Sequence, residues 1–153
     1  MKKAHYIRDG RAPIPQKEST SRVMRANKAK DTVPELLLRK ALWNAGIKGY
    51  RLHMKLIPGR PDISFPRRKI DVFINGCFWH RCPHCNLYSP RSNTAFWEDK
   101  FRKNQERDAR KQLELENLGR YVLIIWECEI KKELTKQLAK IIKIYYEKGP
   151  HCY

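Results

Sequence analysis

No stretch of the 153-residue chain approaches the roughly 18 consecutive apolar residues that a membrane span requires. The N-terminal MKKAHYIRDGR carries lysines but no apolar run behind them, so it does not read as a secretory leader. The expected location is the cytoplasm, with no membrane partner. Acidic residues are scarce as well: 16 Asp and Glu stand against 33 Lys and Arg, a net charge of +17. So large an excess of one sign on a small domain costs self-repulsion and points to a polyanionic partner. Four Trp, seven Tyr and five Phe lie among the charges, and bases stack on such rings. Nucleic acid therefore ranks above an anionic membrane surface.

The length suits one domain with a single core. Residues 1–30 hold nine Lys and Arg against two acids and little apolar periodicity, which predicts a basic arm, mobile in the free protein and ordered on DNA. The catalytic domain is expected over 31–149. Thr32-Val-Pro-Glu35 has the form of a capping box ahead of a helix whose apolar face is Leu38, Leu42 and Ala45. Strands are predicted at Tyr50–Ile57, Asp62–Phe65 and Ile70–Ile74, the first two separated by the tight turn Pro58-Gly-Arg-Pro61. Residues 77–93 are irregular. A long basic helix is predicted from Thr94 to Leu118, with Lys100, Arg102, Lys103, Arg107, Arg110 and Lys111 toward solvent. The apolar run Tyr121–Trp126 predicts a strand covered on both faces, and Glu133–Glu147 a last helix. The order implies an α/β fold, a mixed central sheet flanked by helices.

Cysteines in a cytosolic chain more often bind metal than form disulfides. Cys77, Cys82 and Cys85 fall within nine residues, and Cys128 supplies a fourth thiol from far along the chain. Four thiolates suit a closed tetrahedral zinc site that pins the loop 77–93 to the end of the Tyr121–Trp126 strand. His84 is an alternative ligand to Cys82 or Cys85, and Cys152 stands apart. Asp62, set on a strand just after a tight turn, can give Mg²⁺ one carboxylate, with a main-chain carbonyl near Ile74 beside it. As an isolated residue it suits a turn-bonding aspartate better, and the case for chemistry comes from the residues downstream. His80, past the third strand, is either a general base or a further zinc ligand. Glu35 either orients water at the metal or closes its own capping box. Adjacent rings at Phe78-Trp79 and Phe96-Trp97 are unusual for one core. Phe78, Trp79 and Trp97 are assigned to DNA as wedges between base steps, and Phe96 and Trp126 to the core.

Taken together, Thr20-Ser-Arg-Val-Met-Arg-Ala26, Pro58-Gly-Arg-Pro-Asp62, Gly76-Cys-Phe-Trp-His80, Phe96-Trp97, Asn104-x-Glu106-Arg-Asp108 and Trp126-Glu-Cys128 resemble the very-short-patch-repair (Vsr) endonucleases, in that family's order and approximate spacing over about residues 19–130. The resemblance implies a restriction-endonuclease-like fold with a structural zinc. It implies a Mg²⁺-dependent nick 5′ of the thymine in a T·G mismatch left by deaminated 5-methylcytosine. It assigns Mg²⁺ binding to Asp62 and the Ile74 carbonyl, the general base to His80, and an acidic active-site role to Glu35. It assigns zinc to Cys77, Cys82, Cys85 and Cys128, and mismatch contacts to Phe78, Trp79, Trp97 and Met24. Asn75, counted among the DNA contacts, stands where some members carry histidine. The expected partner is mismatched duplex DNA met at the nucleoid by a monomer, with other mismatch-repair proteins as further partners. The competing readings are a restriction-like nuclease cutting both strands and a zinc-stabilised DNA-binding module without chemistry.

Overall fold

A computed structural model describes residues 18–149. The elements are helix α1 (Glu18–Ala26), α2 (Val33–Asn44), strands β1 (Arg51–Leu52) and β2 (Ile63–Phe65), a 3-10 turn (Pro66–Arg68), β3 (Ile70–Asn75), α3 (Cys77–His80), α4 (Thr94–Asn117), β4 (Tyr121–Trp126) and α5 (Glu127–Glu147). The sheet runs β1-β2-β3-β4, antiparallel through β3 and parallel between β3 and β4. This is the mixed α/β sheet flanked by helices that the element order implies. No helix among the described residues is long and apolar enough to cross a membrane.

Local chemistry explains most of these bounds. Both halves of the Thr32/Glu35 capping box are present at the start of α2, with Pro34 in its first turn. Leu38 and Leu42, one turn apart, then reach the core without exposure. They meet Ile63, Phe65, Ile70 and Val72 from the sheet and Ile130 and Ile141 from α5. Gly119, at φ 68, follows the end of α4, where a Cβ would be strained.

Four expectations change. The first strand shrinks from Tyr50–Ile57 to two residues, because His53 turns into the left-handed region at φ 46 and residues 54–60 fold into successive turns. The loop 77–93 begins with one helical turn, which Arg81 ends at φ 54. Strand β4 is not covered on both faces: it is the sheet edge, and of its six apolar residues Ile125 alone is fully buried. The last helix begins six residues early, at Glu127, with Glu133 breaking its regularity at φ −141. The basic arm carries α1; residues 1–17 lie outside the described part, and so does the side chain of Met24 on that helix.

A buried polar pin, invisible in the sequence pattern, ties the sheet together. Asp71 on β3 has no exposure, accepts 2.6 Å from Ser64 Oγ on β2, and is gripped at both oxygens by Arg120 just before β4. Removing one partner of a buried ion pair leaves the other charge uncompensated. Arg120→Met is expected to destabilise the fold by about 3–5 kcal/mol in urea denaturation; a midpoint unchanged from the parent chain would mean the pair bears no such load.

Candidate active site

The tight turn before β2 delivers the first functional side chain. Gly59 sits at φ 77, and a Cβ there would lie 3.2 Å from the Phe73 ring and 3.3 Å from Lys111, so only glycine fits. Arg60 follows at φ 53, Pro61 is buried, and Asp62 emerges at the start of the strand. Its Oδ2 accepts the main-chain N–H of Ile74 at 2.7 Å, across the β2–β3 ladder. Its Oδ1 accepts no hydrogen bond among the described residues; the closest imidazole nitrogen, His53 Nδ1, stands 3.7 Å away.

Glu35 comes to the same place from the first turn of α2. The capping role and the site role share the carboxylate, since Oε2 also accepts the main-chain N–H of Asp31 at 3.0 Å. Oε1 accepts from Thr32 Oγ1 at 2.8 Å, while Oε2 accepts from Arg39 at 2.8 Å and lies 3.6 Å from His53 Nε2. Burial pushes the Asp62 carboxyl up to about 6, and the negative charge of Glu35 adds to the shift; the Ile74 N–H, His53 and Arg39 oppose it. A carboxylate this reluctant to ionise is one that a cation would stabilise.

His80, the last residue of α3, points instead to α4. Its Nδ1 bonds Asp108 Oδ2, and the Asn104 amide ties α4 to α3 by donating to the Trp79 carbonyl at 3.0 Å. Burial works against the Asp108 charge, but His80 and Arg107 outweigh it and hold the carboxyl below its usual range. An ionised carboxylate only accepts, so Nδ1 carries a proton toward it. The structure thus brings Asp62 together with Glu35, and His80 together with Asp108. No hydrogen bond or ion pair joins the two groups among the described residues. Both stand at one end of β3, whose Ile74 holds Asp62 and whose continuation is α3.

The cysteines converge as the spacing suggests. The sulphurs of Cys77, Cys82, Cys85 and Cys128 all lie within 4.8 Å of one another, and Cys82 Sγ is 3.7 Å from Cys128 Sγ. Four ligands about 2.3 Å from a tetrahedral ion stand about 3.8 Å apart, so the set fits a soft metal ion. Burial holds the Cys77 thiol up, and lifts the Cys128 thiol to about 11, while hydrogen bonding from Cys128 and its neighbours lowers Cys85. His84 enters through its main chain, donating N–H to Cys82 Sγ at 3.4 Å.

The rings form one half-buried cluster. Phe78 is its hub, with centroids 5.2 Å from Trp79, 5.8 Å from Trp97 and 5.3 Å from Phe101. Adjacent rings share a cluster here because one turn of helix lies flat against α4. Phe96 is only half-buried, 5.3 Å from Trp97, and Trp126 is half-buried as well. Asn75 ends β3 opposite Trp126 and is half-buried.

Sequence reasoning missed His53, Arg39 and Asp108 as site residues. Asp108 had a signal, since it stands in a motif already singled out and lies one helical repeat from Asn104. His53 and Arg39 had none, because a lone histidine in an expected strand and one arginine among many carry no pattern.

The sign of the Asp62 shift gives a test. The folded chain keeps this proton up to about pH 6, whereas the unfolded chain, near the ordinary aspartate value of 3.8, has released it. Stability is therefore lost as pH rises between those values, and the cost is fully present above. Without divalent ions, Asp62→Asn is expected to be more stable than the parent by about 2–3 kcal/mol at pH 8, with the gain fading toward pH 4. Denaturation curves at the two pH values decide it, and a variant no more stable at pH 8 would show that burial of this charge costs little.

The family model described as DNA mismatch endonuclease Vsr matches residues 13–87. The type II nicking enzyme V.NmeAIP of Neisseria meningitidis serogroup A is 44% identical over 122 residues, which cover 75% of this chain and 85% of that protein. V.NaeI of Lentzea aerocolonigenes, another type II nicking enzyme, is 41% identical over 138 residues, 87% of this chain and 80% of that one. The DNA mismatch endonuclease Vsr of Escherichia coli K12 is 39% identical over 121 residues, 78% of this chain and 76% of its own length. On these likenesses the chain belongs to the Vsr family of DNA mismatch endonucleases.

Proposed function

We propose that this chain is a Mg²⁺-dependent nickase that cuts one strand of duplex DNA 5′ of the thymine in a T·G mismatch, on a restriction-endonuclease-like core stapled by zinc. The observation that carries the reading is the histidine–aspartate pair at the end of the same strand that holds Asp62. A binding module has no use for a histidine whose Nδ1 is locked by an ionised carboxylate. A hydrolase does, because a carboxylate at Nδ1 fixes the ring and steadies the imidazolium that forms when Nε2 takes a proton.

Asp62 and the main-chain carbonyl of Ile74 would hold the divalent ion. In an extended strand a residue's N–H and C=O face the same edge, so the carbonyl shares the side on which the N–H bonds Asp62. The fit rests on Asp62 Oδ1, which accepts no hydrogen bond among the described residues. When bound, the ion neutralises charge on the phosphate and acidifies a water. His80 Nε2 takes the proton from the attacking water, and Asp108 stabilises the imidazolium that results. Glu35 stays buried beside Asp62 and keeps negative charge there.

Four soft ligands support zinc at the cysteine cluster, and its place supports a structural task. It joins α3 and its loop to the first turn of α5. Through α3 it steadies His80 and the ring cluster. Phe78, Trp79 and Trp97 then form a platform whose outer edges meet the mismatch, where unstacking costs least. Met24 and Asn75 are proposed as further DNA contacts. The chain is read as a cytoplasmic monomer whose positive surface meets the nucleoid.

A duplex with one T·G mismatch, incubated with Mg²⁺ beside its matched counterpart, tests the reaction. The expected product is a single nick in the thymine strand of the mismatched duplex. Cuts in both strands, or in both duplexes, would replace this reading with that of a general nuclease. His80→Ala is expected to slow the nick by about 10²- to 10⁴-fold while DNA binding is kept. Removal of the thiolate metal is expected to expose residues 81–93 to limited proteolysis, and Cys128→Ser to do the same; a digestion pattern indifferent to chelator would leave the loop without its staple.

A further inference from the structure

Asp31, Glu35 and His53 each bring one donor atom within 4.8 Å of the others, a group able to hold a cation. The hollow between them is already filled. One terminal nitrogen of Arg39 lies 2.6 Å from Asp31 Oδ1, and the other lies 2.8 Å from Glu35 Oε2 and 3.0 Å from His53 Nε2. The Arg39 side chain is 11% exposed and that of Glu35 4%. Arg39 Nε is buried and makes no hydrogen bond, so the side chain is held by its two terminal nitrogens. A guanidinium only donates, so His53 Nε2 accepts from it. The imidazole proton is then on Nδ1, the nitrogen that faces Asp62 Oδ1 at 3.7 Å. His53 reaches this position because its backbone leaves β1 in the left-handed region, turning the ring inward.

We propose that Arg39 is the resident cation of this site: its guanidinium keeps a divalent ion out of the Asp31–Glu35–His53 hollow, and its bond to His53 presents an imidazole N–H to the metal-binding carboxylate Asp62. The second clause rests on the reading of Asp62 given above; the occupancy of the hollow does not. Arg39 and His53 are positioning residues. Arginine suits the task because its planar fork spans three donors with one charge and stays protonated. A divalent ion admitted there would stand beside Asp62 and compete for the same pair of carboxylates.

The test uses the full chain with its thiolate metal and Mn²⁺ as probe, bound ions being counted by electron paramagnetic resonance. An Asp62→Asn background silences the catalytic position. In it, the parent Arg39 is expected to bind no Mn²⁺, Arg39→Met one ion per chain, and Arg39→Lys none. Adding His53→Asn, which tolerates the positive φ, is expected to abolish the new site. No ion bound by the Arg39→Met chain, or an ion bound with Arg39 in place and lost on His53→Asn, overturns the proposal. Where Arg39→Met is unfolded without metal, circular dichroism with and without Mn²⁺ reads the same point. Folding restored by the ion supports the replacement, and a chain unfolded in both overturns it. With Asp62 intact, Arg39→Met is expected to raise the Mg²⁺ concentration for half-maximal cleavage about tenfold or more, with Arg39→Lys recovering most of it. Failure of the Asp62 reading is a separate result: Asp62→Asn would go on cutting, whatever the Mn²⁺ count.

Discussion

The bond from the Ile74 N–H to Asp62 Oδ2 is the constraint on which the rest of the site depends. It spends a strand amide on a carboxylate that burial would otherwise make expensive. It exists only because β2 and β3 pair in one register, with Ile63 opposite Val72, so that the residue before β2 faces the end of β3. A slip of one residue would turn Asp62 to the other face. From that fixed point the chain runs straight on through Asn75, Cys77 and His80, so strand end, cysteine cluster and histidine are positioned as one unit.

Two arginines secure this arrangement from opposite sides. Arg120 neutralises the fully buried Asp71 and joins β2, β3 and the start of β4. Arg39 neutralises Glu35 and joins the end of β1 to α2. In each case the acid is buried and hydrogen-bonded on more than one side, the condition under which an internal ion pair is tolerable. The scarce acids of the chain are thus spent partly inside, at Glu35, Asp62 and Asp71. Two arginines are paired there as well, so the surface keeps the positive excess that the composition implies, as suits a protein that must displace counterions from a phosphate backbone.

The ring cluster extends the same economy. Phe78 and Trp79 sit on a single helical turn that is tied to α4 at the Trp79 carbonyl and to the cysteine cluster at Cys77. The same short helix carries one of the four clustered cysteines, two rings and the histidine that pairs with Asp108.

What the sequence determined by itself was whatever rests on local pattern and on residue chemistry that spacing reveals. The capping box at Thr32 and Glu35, the turn at Gly59, the long helix before Gly119 and three of the four thiols each advertise themselves within a few residues, because backbone strain and metal chemistry are local demands. Cys128 was read as the fourth thiol from far along the chain, and folding brings it to the other three. The tertiary structure decided the rest. It made β4 an edge rather than a centre, cut β1 short at His53, and chose Asp108 as the partner of His80. It also sent Arg39 and Arg120 inward from a crowd of surface cations. The physical reason is the same throughout: burial and long-range pairing are properties of neighbours brought together by folding, and one arginine looks like another until the chain has decided which of them faces a carboxylate out of water.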